Sequence, residues 1–377
     1  MRPRFDHLAR EAAAVFRPSD TGGETIQANL LEARRLGLPG LTVPAEHGGM
    51  GANLLDFAAY QLLLGASDGA TALVLAMHHM LLGGEAEGSG WPAEPWRELC
   101  DGAVRDGALV NSAATEPGAG TPSAGGLPAT RARPDEAPVS AGGWRISGRK
   151  AYTTGAPYLG FIRVSARVDP VGQEPHSARF LVRMPSPGVS IKDAWRPAAL
   201  AAAANDDVEF SETPATWLYR EGERGCEGTV WFQVAIASTY LGIGFAAHDA
   251  AVDFTRERVT AAGRVSDRES VRLRLGRSRA GLEVARRNLL ATCQEWVDGA
   301  GSPREALLPD FGLAKSTAVT AAAAAAEEAV RLAGAGGFGA ESPFARYLLE
   351  TRAGLNHPPI EDVALIRLAE RDLLDGS

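Results

Sequence analysis

The sequence predicts an α+β protein in which a β region separates two helical regions. From residue 1 to 107, apolar residues recur at helical spacing, as in RFDHLAREAAAVF. From 108 to 221 that spacing stops, and short β-prone runs are separated by Gly, Pro and Asp. Long helical runs return from 222 to 377. These three ranges are the predicted domains.

Each region contains stretches that predict individual elements. In the first region, LLEARRLGLPG ends on a glycine, a common helix stop, and a long apolar run from LLDFAAY to HHMLLGG follows. The strands predicted in the middle region are GALVNSAA, WRISGRKAYTT, GFIRVSARV, ARFLVRM and DDVEF. In the last region, the AAAAAA run predicts a closely packed helix, because alanine is the best helix former.

Composition argues against several classes of partner and site. The net charge is −8 and no cluster of basic residues interrupts it, so we expect no nucleic acid partner. The N-terminus lacks a signal-peptide core and we expect no membrane span, which indicates a cytoplasmic protein. The three widely spaced cysteines predict neither a metal site nor a disulfide framework. Lys150, Lys192 and Lys315 are the only lysines, a skew that we attribute to genome composition.

The stretch LNHPPIED, residues 355 to 362, places His357 at the start of a C-terminal helix. The two prolines that follow His357 suit a helix entry, and Glu361 and Asp362 fall in the first turn, where the helix dipole favours anions. An apolar stripe at helical spacing then predicts the helix itself. Its members are Ile360, Val363, Ala364 and Leu368.

Five stretches in order carry a family resemblance. They are LGLPGLTVPAEHGGMG (36–51), SAATEPGAG (112–120), SGRKAYTTGAP (147–157), FTRER (254–258) and GAGGFGAESPFAR (334–346). They resemble the Pro-Glu-x-x-Gly-Gly segment, the Thr-Glu-Pro-x-Ala-Gly loop, the Gly-x-Lys-x-Trp-Ile-Thr-Asn strand, the phosphate-binding arginine helix and the Gly-Gly-x-Gly-(Tyr/Phe) turn of the acyl-CoA dehydrogenase family. Each motif alone is weak evidence, and their common order makes the resemblance specific.

The resemblance implies a fold and a cofactor. Members of this family have an N-terminal helical domain, a middle β barrel and a C-terminal four-helix bundle. They hold FAD among these domains and between subunits, so we expect a homodimer or homotetramer that binds FAD, with FMN as the alternative flavin.

Family positions also imply which residues contact the flavin. Thr115 would bond the pyrimidine edge, Thr154 would lie near N5, and Tyr152 replaces the usual tryptophan. Arg258 would face the pyrophosphate, a charge-assisted contact. Arg331 replaces a glutamine and could bind phosphate or form a salt bridge. The whole set of expected cofactor-binding residues is Thr115, Tyr152, Thr153, Thr154, Arg258, Arg331, Gly334, Gly336 and Gly337.

The sequence departs from the family at the catalytic base. A dehydrogenase of this family needs a carboxylate within reach of the acyl α-proton. Most members carry it in a Tyr-Glu-Gly-Thr stretch, which falls here on His357, Pro358 and Pro359. A minority carry it on an earlier helix, at the position of Phe232. Neither position has a glutamate, and the polar Gly-x-Arg-x-(Thr/Ser) segment reads ALAAAAN, which suggests a more apolar pocket.

Histidines are the remaining candidates for catalysis. His78 and His79 lie on a helix of the kind that lines the family's active site, although adjacent helical residues diverge and only one can face inward. Together with His357 they resemble the flavin-dependent monooxygenase branch of the superfamily. Oxygenation needs a dry pocket and a hydrogen-bond donor that is not a strong acid, and neutral imidazole suits this role. The helix N-terminus beside His357 would favour its neutral form. The simpler alternative is that His78 and His79 are packed core residues.

Three functions follow from these observations. In the first, the protein is a flavin monooxygenase or oxidase for a small or carrier-bound metabolite, supplied with reduced flavin by a separate reductase. In the second, it is an acyl-CoA or acyl-carrier-protein dehydrogenase with a relocated base, for which Glu361 is the candidate. In the third, it is a non-catalytic subunit that completes the flavin site of an intact relative.

Overall fold

The computed structural model describes residues 4–19, 23–88, 90–118, 126–135, 143–193, 195, 197–299, 304–339 and 342–374. Residues 119, 120, 340 and 341, which belong to two of the motifs above, lie outside this range. The described elements follow the predicted order of helices, strands and helices. The α+β architecture is therefore confirmed.

Helices make up the N-terminal region. They are α1 (Asp6–Val15), α2 (Glu24–Arg35), α3 (Leu54–Ser67), α4 (Gly69–Gly88) and α5 (Ala93–Asp101). The apolar run that begins with LLDFAAY is two helices, because Asp68 interrupts it. The Asp68 carboxylate accepts hydrogen bonds from the backbone N–H and the hydroxyl of Thr71, and so caps the N-terminus of α4.

The middle region is a sheet that closes on itself. Its strands are β1 (Leu109–Ala113), β2 (Arg131–Pro134), β3 (Gly143–Thr154), β4 (Leu159–Val168), β5 (His176–Arg183), β6 (Val189–Lys192) and β7 (Asn205–Arg220). Strands β4, β2, β3, β7 and β5 are hydrogen-bonded in that order, and β5 pairs again with β4. The predicted β barrel is thus present, with β1 parallel to β4 at one side and β6 attached to β7.

The C-terminal region is a bundle of long helices. Its elements are α6 (Glu227–Glu257), the short strands β8 (Val259–Thr260) and β9 (Gly263–Arg264), α7 (Glu269–Asp298), α8 (Leu308–Ala333), α9 (Pro343–Gly354) and α10 (Glu361–Leu374). The alanine run forms part of α8 and packs closely, as predicted, since most of its alanines are buried. The helix predicted for the C-terminus is present as α10, but its predicted apolar stripe is mostly not buried. Of the four residues in the stripe, Ala364 alone is buried.

Helix α6 lies at the centre, between the N-terminal domain and the rest of the bundle. A Cβ added to Gly65 of α3 would lie 2.3 Å from the carbonyl oxygen of Thr239 in α6. A Cβ on Gly244 of α6 would lie 2.6 Å from Cα of Ala322 in α8. The backbones of three helices therefore meet without side chains between them. Of the described helices only α6 is long and apolar enough to cross a membrane, and 83% of its most apolar window is buried inside the protein.

Substitution at the α3–α6 crossing is expected to destabilise the fold. Gly65→Ala should lower the free energy of unfolding by about 1–3 kcal/mol or more, because the methyl group has no space between two backbones. The control is Gly276→Ala in α7, where an added Cβ meets nothing within 4 Å. That change should stabilise by up to about 1 kcal/mol through helix propensity. Equal urea midpoints for the two variants would contradict this account of the crossing.

Candidate active site

His357 lies in the connection between α9 and α10, against two aromatic residues of α6. Its Nε2 is 3.0 Å from the hydroxyl of Tyr240. Its ring centroid is 5.5 Å from that of Tyr240 and 6.2 Å from that of Phe232. His357 and Phe232 mark the two places where the resemblance puts a catalytic glutamate. The structure brings both places together, and the rings of a histidine and a phenylalanine occupy them.

The side chains of His357, Tyr240 and Phe232 are called the pocket below, and their packing depends on a glycine of α9. A Cβ on Gly354 would lie 2.7 Å from the ring of Tyr240, so that only glycine lets α9 pack flat on this aromatic side chain. The hydrogen bond between Tyr240 and His357 then joins side chains 117 residues apart in sequence. Sequence reasoning missed Tyr240, because its helical spacing fits an ordinary core residue.

Both groups of this pair are neutral at physiological pH. Burial lowers the pKa of His357 to about 4, and the positive charge of Lys315 contributes to the decrease. Burial raises the pKa of the Tyr240 hydroxyl. His357 is therefore neutral, as predicted, but the cause is burial and not the dipole of a helix. Helix α10 begins only at Glu361, four residues beyond His357, and desolvation is the larger effect.

Carboxylates are present near this pocket without reaching it. Glu361 is exposed at the start of α10, and its Oε1 accepts a hydrogen bond of 3.3 Å from Ser316. Glu350 of α9 is buried, which raises its pKa to about 7, and its Oε1 lies 3.6 Å from Arg346. Among the described residues, neither carboxylate hydrogen-bonds to Tyr240 or His357.

His78 has a structural role. Its Nδ1 accepts a hydrogen bond of 3.1 Å from the backbone N–H of Val110, so the proton resides on Nε2, which donates to the carbonyl of Pro39 at 2.8 Å. The ring therefore ties α4 to β1 and to the segment after α2. Neither nitrogen is free for a substrate, which corrects the expectation that His78 lines the active site.

His79 is also fully buried, and its ring centroid lies 5.1 Å from that of His78. Its Nδ1 lies 3.2 Å from the hydroxyl of Thr42, and its ring contacts the edges of Phe57 and Tyr60. Burial lowers the pKa of His79, and the neighbouring His78 lowers it further. No described hydrogen bond or ring contact joins His79 to His357, so the structure does not bring the three histidines into one site.

The end of β3 presents groups that fit a flavin ring. Tyr152 has a positive φ of 56°, and its ring is 55% exposed beside Trp195, with ring centroids 5.0 Å apart. The hydroxyl of Thr115 is half-buried and makes no hydrogen bond to any described residue. Thr154 donates to Asn205 at 2.5 Å and keeps lone pairs free to accept. Thr153 is fully buried, so its side chain presents no surface to a cofactor, contrary to expectation.

A buried ion pair holds this face together. The ammonium of Lys150 in β3 is 2.7 Å from Glu116 Oε1, and both side chains are buried. Glu116 also accepts the backbone N–H groups of Ala129 and Thr130. Burial alone would raise the pKa of Glu116, but the bond from Lys150 and these backbone bonds outweigh it and lower the pKa to about 2. The backbone N–H of Ala151 donates to the carbonyl of Thr115 at 2.9 Å. The motif that contains Thr115 and Glu116 is thus bonded to the motif that contains Lys150 and Ala151. Their separation in sequence gave no indication of this contact.

The far end of the bundle presents groups that fit an anionic cofactor tail. Arg258 caps the C-terminus of α6, is exposed and forms no ion pair within the described residues. After α8, Gly334 has φ +66°, and a Cβ on Gly334 or Gly336 would meet nothing. Gly337 is buried instead. Arg331 pairs with Glu327 at 2.6 Å, so the salt-bridge alternative applies to it.

The segment ALAAAAN forms an apolar wall. Leu200, Ala202 and Ala203 are buried, and the backbone N–H of Gly155, directly after β3, donates to the carbonyl of Ala203 at 2.8 Å. The expected polar groups are therefore replaced by packed methyl groups. The described residues contain no group of His, Cys, Asp and Glu side chains that could hold a metal ion.

The buried histidines predict a specific acid sensitivity. Burial lowers the pKa of His78 to about 4, so between pH 6.5 and 4 the unfolded chain binds a proton that the folded chain excludes. Stability should be full above this window and fall by on the order of 3 kcal/mol per such histidine as pH drops through it. His78→Asn should flatten the slope in urea titrations, whereas His7→Asn, at an exposed position, should not. Parallel slopes for wild type and His78→Asn would contradict the prediction.

Comparison with known proteins identifies the fold and cofactor class. Models of the acyl-CoA dehydrogenase N-terminal, middle and C-terminal domains match residues 6–89, 111–213 and 234–359. The putative acyl-CoA dehydrogenase YdbM of Bacillus subtilis is 30% identical, over 97% of this chain and 94% of YdbM. The amino sugar nitrososynthase RubN8 of Streptomyces rubradiris is 32% identical, over 92% of this chain and 83% of RubN8.

One of the similar solved structures contains a bound flavin. KijD3, in complex with FMN and dTDP-3-amino-2,3,6-trideoxy-4-keto-3-methyl-D-glucose, has a TM-score of 0.78 at 25% identity, over 98% of this chain and 92% of KijD3. The predicted resemblance is confirmed, and the groups at β3 and at the far end of the bundle fit the cofactor that it implies. The chain belongs to the acyl-CoA dehydrogenase family and is a flavin-dependent oxidoreductase.

Proposed function

We propose that this protein is a flavin-dependent monooxygenase that transfers one atom of molecular oxygen to a small or carrier-bound metabolite. The supporting observation is the pocket at His357, where both family positions for a carboxylate base meet and neither carries one. Without a carboxylate base in reach, removal of an acyl α-proton has no acceptor of suitable strength there.

The residues of the pocket suit oxygen transfer. Bound reduced flavin would supply two electrons, one oxygen atom would enter the substrate, and the other would leave as water. The Tyr240–His357 pair can hold a proton at Oη or at Nε2, because both groups are neutral and share a hydrogen bond. Phe232 covers one side of the His357 ring, and the burial of Tyr240 keeps bulk water from the hydrogen bond that the pair shares.

The substrate class proposed first is an amine. RubN8 is an amino sugar nitrososynthase, and its alignment with this chain covers most of both proteins. We therefore propose N-oxygenation of a dTDP-linked amino sugar as the first reaction to test, with a separate reductase as the source of reduced flavin. A carrier-bound metabolite is the next class, if no free amine is oxygenated.

The alternative is an acyl-thioester dehydrogenase, which the similarity to YdbM favours. Its candidate base Glu361 is exposed and is bonded to Ser316, and no described hydrogen bond joins it to Tyr240 or His357. Anaerobic mixing of the oxidised holoenzyme with butyryl-CoA tests this directly. We expect the visible flavin absorbance to persist. Bleaching by butyryl-CoA would overturn the proposed function, and Glu361→Gln with full bleaching would then exclude Glu361 as the base.

We also propose that the protein is a homo-oligomer that shares its flavin between copies. The flavin-ring residues at β3 and Arg258 lie on different elements, and no described contact joins them. In addition, α10 and the residue before it expose large apolar side chains that a second copy would cover. These are Ile360, Val363, Leu365, Ile366 and Leu373. A chain that takes up no flavin until an intact relative is added would instead support the role of a non-catalytic subunit.

Arg258 provides a test of the cofactor tail. Arg258→Gln should weaken FAD binding by roughly 10- to 100-fold, the effect of one charge-assisted contact, and weaken FMN binding less, because FMN lacks the AMP moiety and keeps one of the two phosphates. Fluorescence titration of the apoprotein with each flavin measures both constants. Arg256→Gln, an exposed arginine on the same helix, is the matched control. Equal losses for FAD and FMN, or no loss for either, would contradict the assignment.

A further inference from the structure

One lysine of a neighbouring helix holds the connection between α9 and α10 that carries His357. Pro358 and Pro359 have no N–H group to donate, and the carbonyl groups on either side of Pro358 turn toward α8. Lys315 of α8 donates from Nζ to the carbonyl of His357 at 2.7 Å and to the carbonyl of Pro359 at 3.2 Å. These bonds satisfy backbone acceptors that have no amide partner in this segment.

Lys315 is built into the interior. Its exposure is 1%, and a buried ammonium is costly unless it is hydrogen-bonded and its charge is compensated. The two carbonyl groups provide the bonds, and Glu361 at the start of α10 provides the nearby negative charge. Because burying this ammonium is unfavourable, its presence here indicates a specific structural role for Lys315.

We propose that Lys315 is the positioning residue of the site: by fixing the backbone on both sides of Pro358, it sets the imidazole of His357 against Tyr240 and Phe232. The catalytic meaning of this position rests on the proposed function, whereas the positioning itself does not. Lys315 acts through His357 and touches no described group of the flavin face.

The same lysine influences the protonation of His357. The charged or titratable groups around the imidazole are Tyr240 on α6 and Lys315 on α8, with Glu361 on α10 and Glu350 on α9 further out. Lys315 disfavours the imidazolium, and burial lowers the pKa of Lys315 itself to about 8. Between about pH 4 and pH 8 the lysine is therefore charged and the histidine neutral.

The test is the NMR titration of His357 in the full chain, in three variants. Lys315→Met removes the donors and the charge, and we expect it to move the His357 midpoint upward by roughly one pH unit or more. Lys315→Arg keeps the charge and should retain a low midpoint. Glu361→Gln removes the compensating charge without breaking the carbonyl bonds, and should not raise the midpoint.

An unchanged His357 titration in Lys315→Met would overturn the proposal. If Lys315→Met does not fold, Lys315→Gln keeps an amide donor without the charge: the nuclear Overhauser contacts between His357 and Tyr240 should persist in that variant while the midpoint rises, and loss of those contacts would overturn the proposal. The nuclear Overhauser contacts between His357 and Tyr240 provide a second measurement, which should weaken in Lys315→Met. Failure of the proposed function is separate, because it would be seen as acyl-CoA bleaching in the wild type, whatever the titration shows.

Discussion

The close crossing of α6 with α3 and α8 is the constraint on which the site depends. Gly65 and Gly244 let three backbones meet, and this fixes the height and rotation of α6 in the molecule. Phe232 and Tyr240, a little over two turns apart on α6, are then presented together to the connection after α9. Gly354 completes the arrangement by letting α9 pack on the Tyr240 ring. Packing of small residues therefore places Phe232 and Tyr240, and Lys315 holds the connection that brings His357 to them.

That pocket differs from a dehydrogenase site in the charge of its side chains and in their strength as proton acceptors. A carboxylate base would be a strong acceptor with a charge, whereas His357 and Tyr240 form a neutral pair that can both donate and accept. Neutral groups in an apolar enclosure suit a reaction in which oxygen must be protected from water. The flavin face at β3 is independent of this change, because the Glu116–Lys150 pair holds it. In the proposed function, the cofactor site of the family is retained and the chemistry beside it is altered.

Local patterns were enough to predict the three regions, the alanine-rich helix and the loops that carry the motifs, because each depends on neighbours in sequence. The partner of His357 could not be predicted, since Tyr240 is distant in sequence and has the spacing of a core residue. The role of His78 was missed for a similar reason: backbone groups of Pro39 and Val110 satisfy it, and sequence does not reveal backbone partners. The lysines did carry a signal. Lys150 and Lys315 are both fully buried, and a chain with three lysines that buries two of them retains them for structure.

The proposed function requires that the pocket around His357 supports a reaction of reduced flavin with oxygen. The most direct test is rapid mixing of the anaerobically reduced holoenzyme with oxygen, followed by absorbance, for wild type and for His357→Ala. We expect a transient absorbing species in the wild type, distinct from reduced and oxidised flavin, that decays faster in the variant. Direct reoxidation without such a species, equally fast in both proteins, would contradict the proposed function.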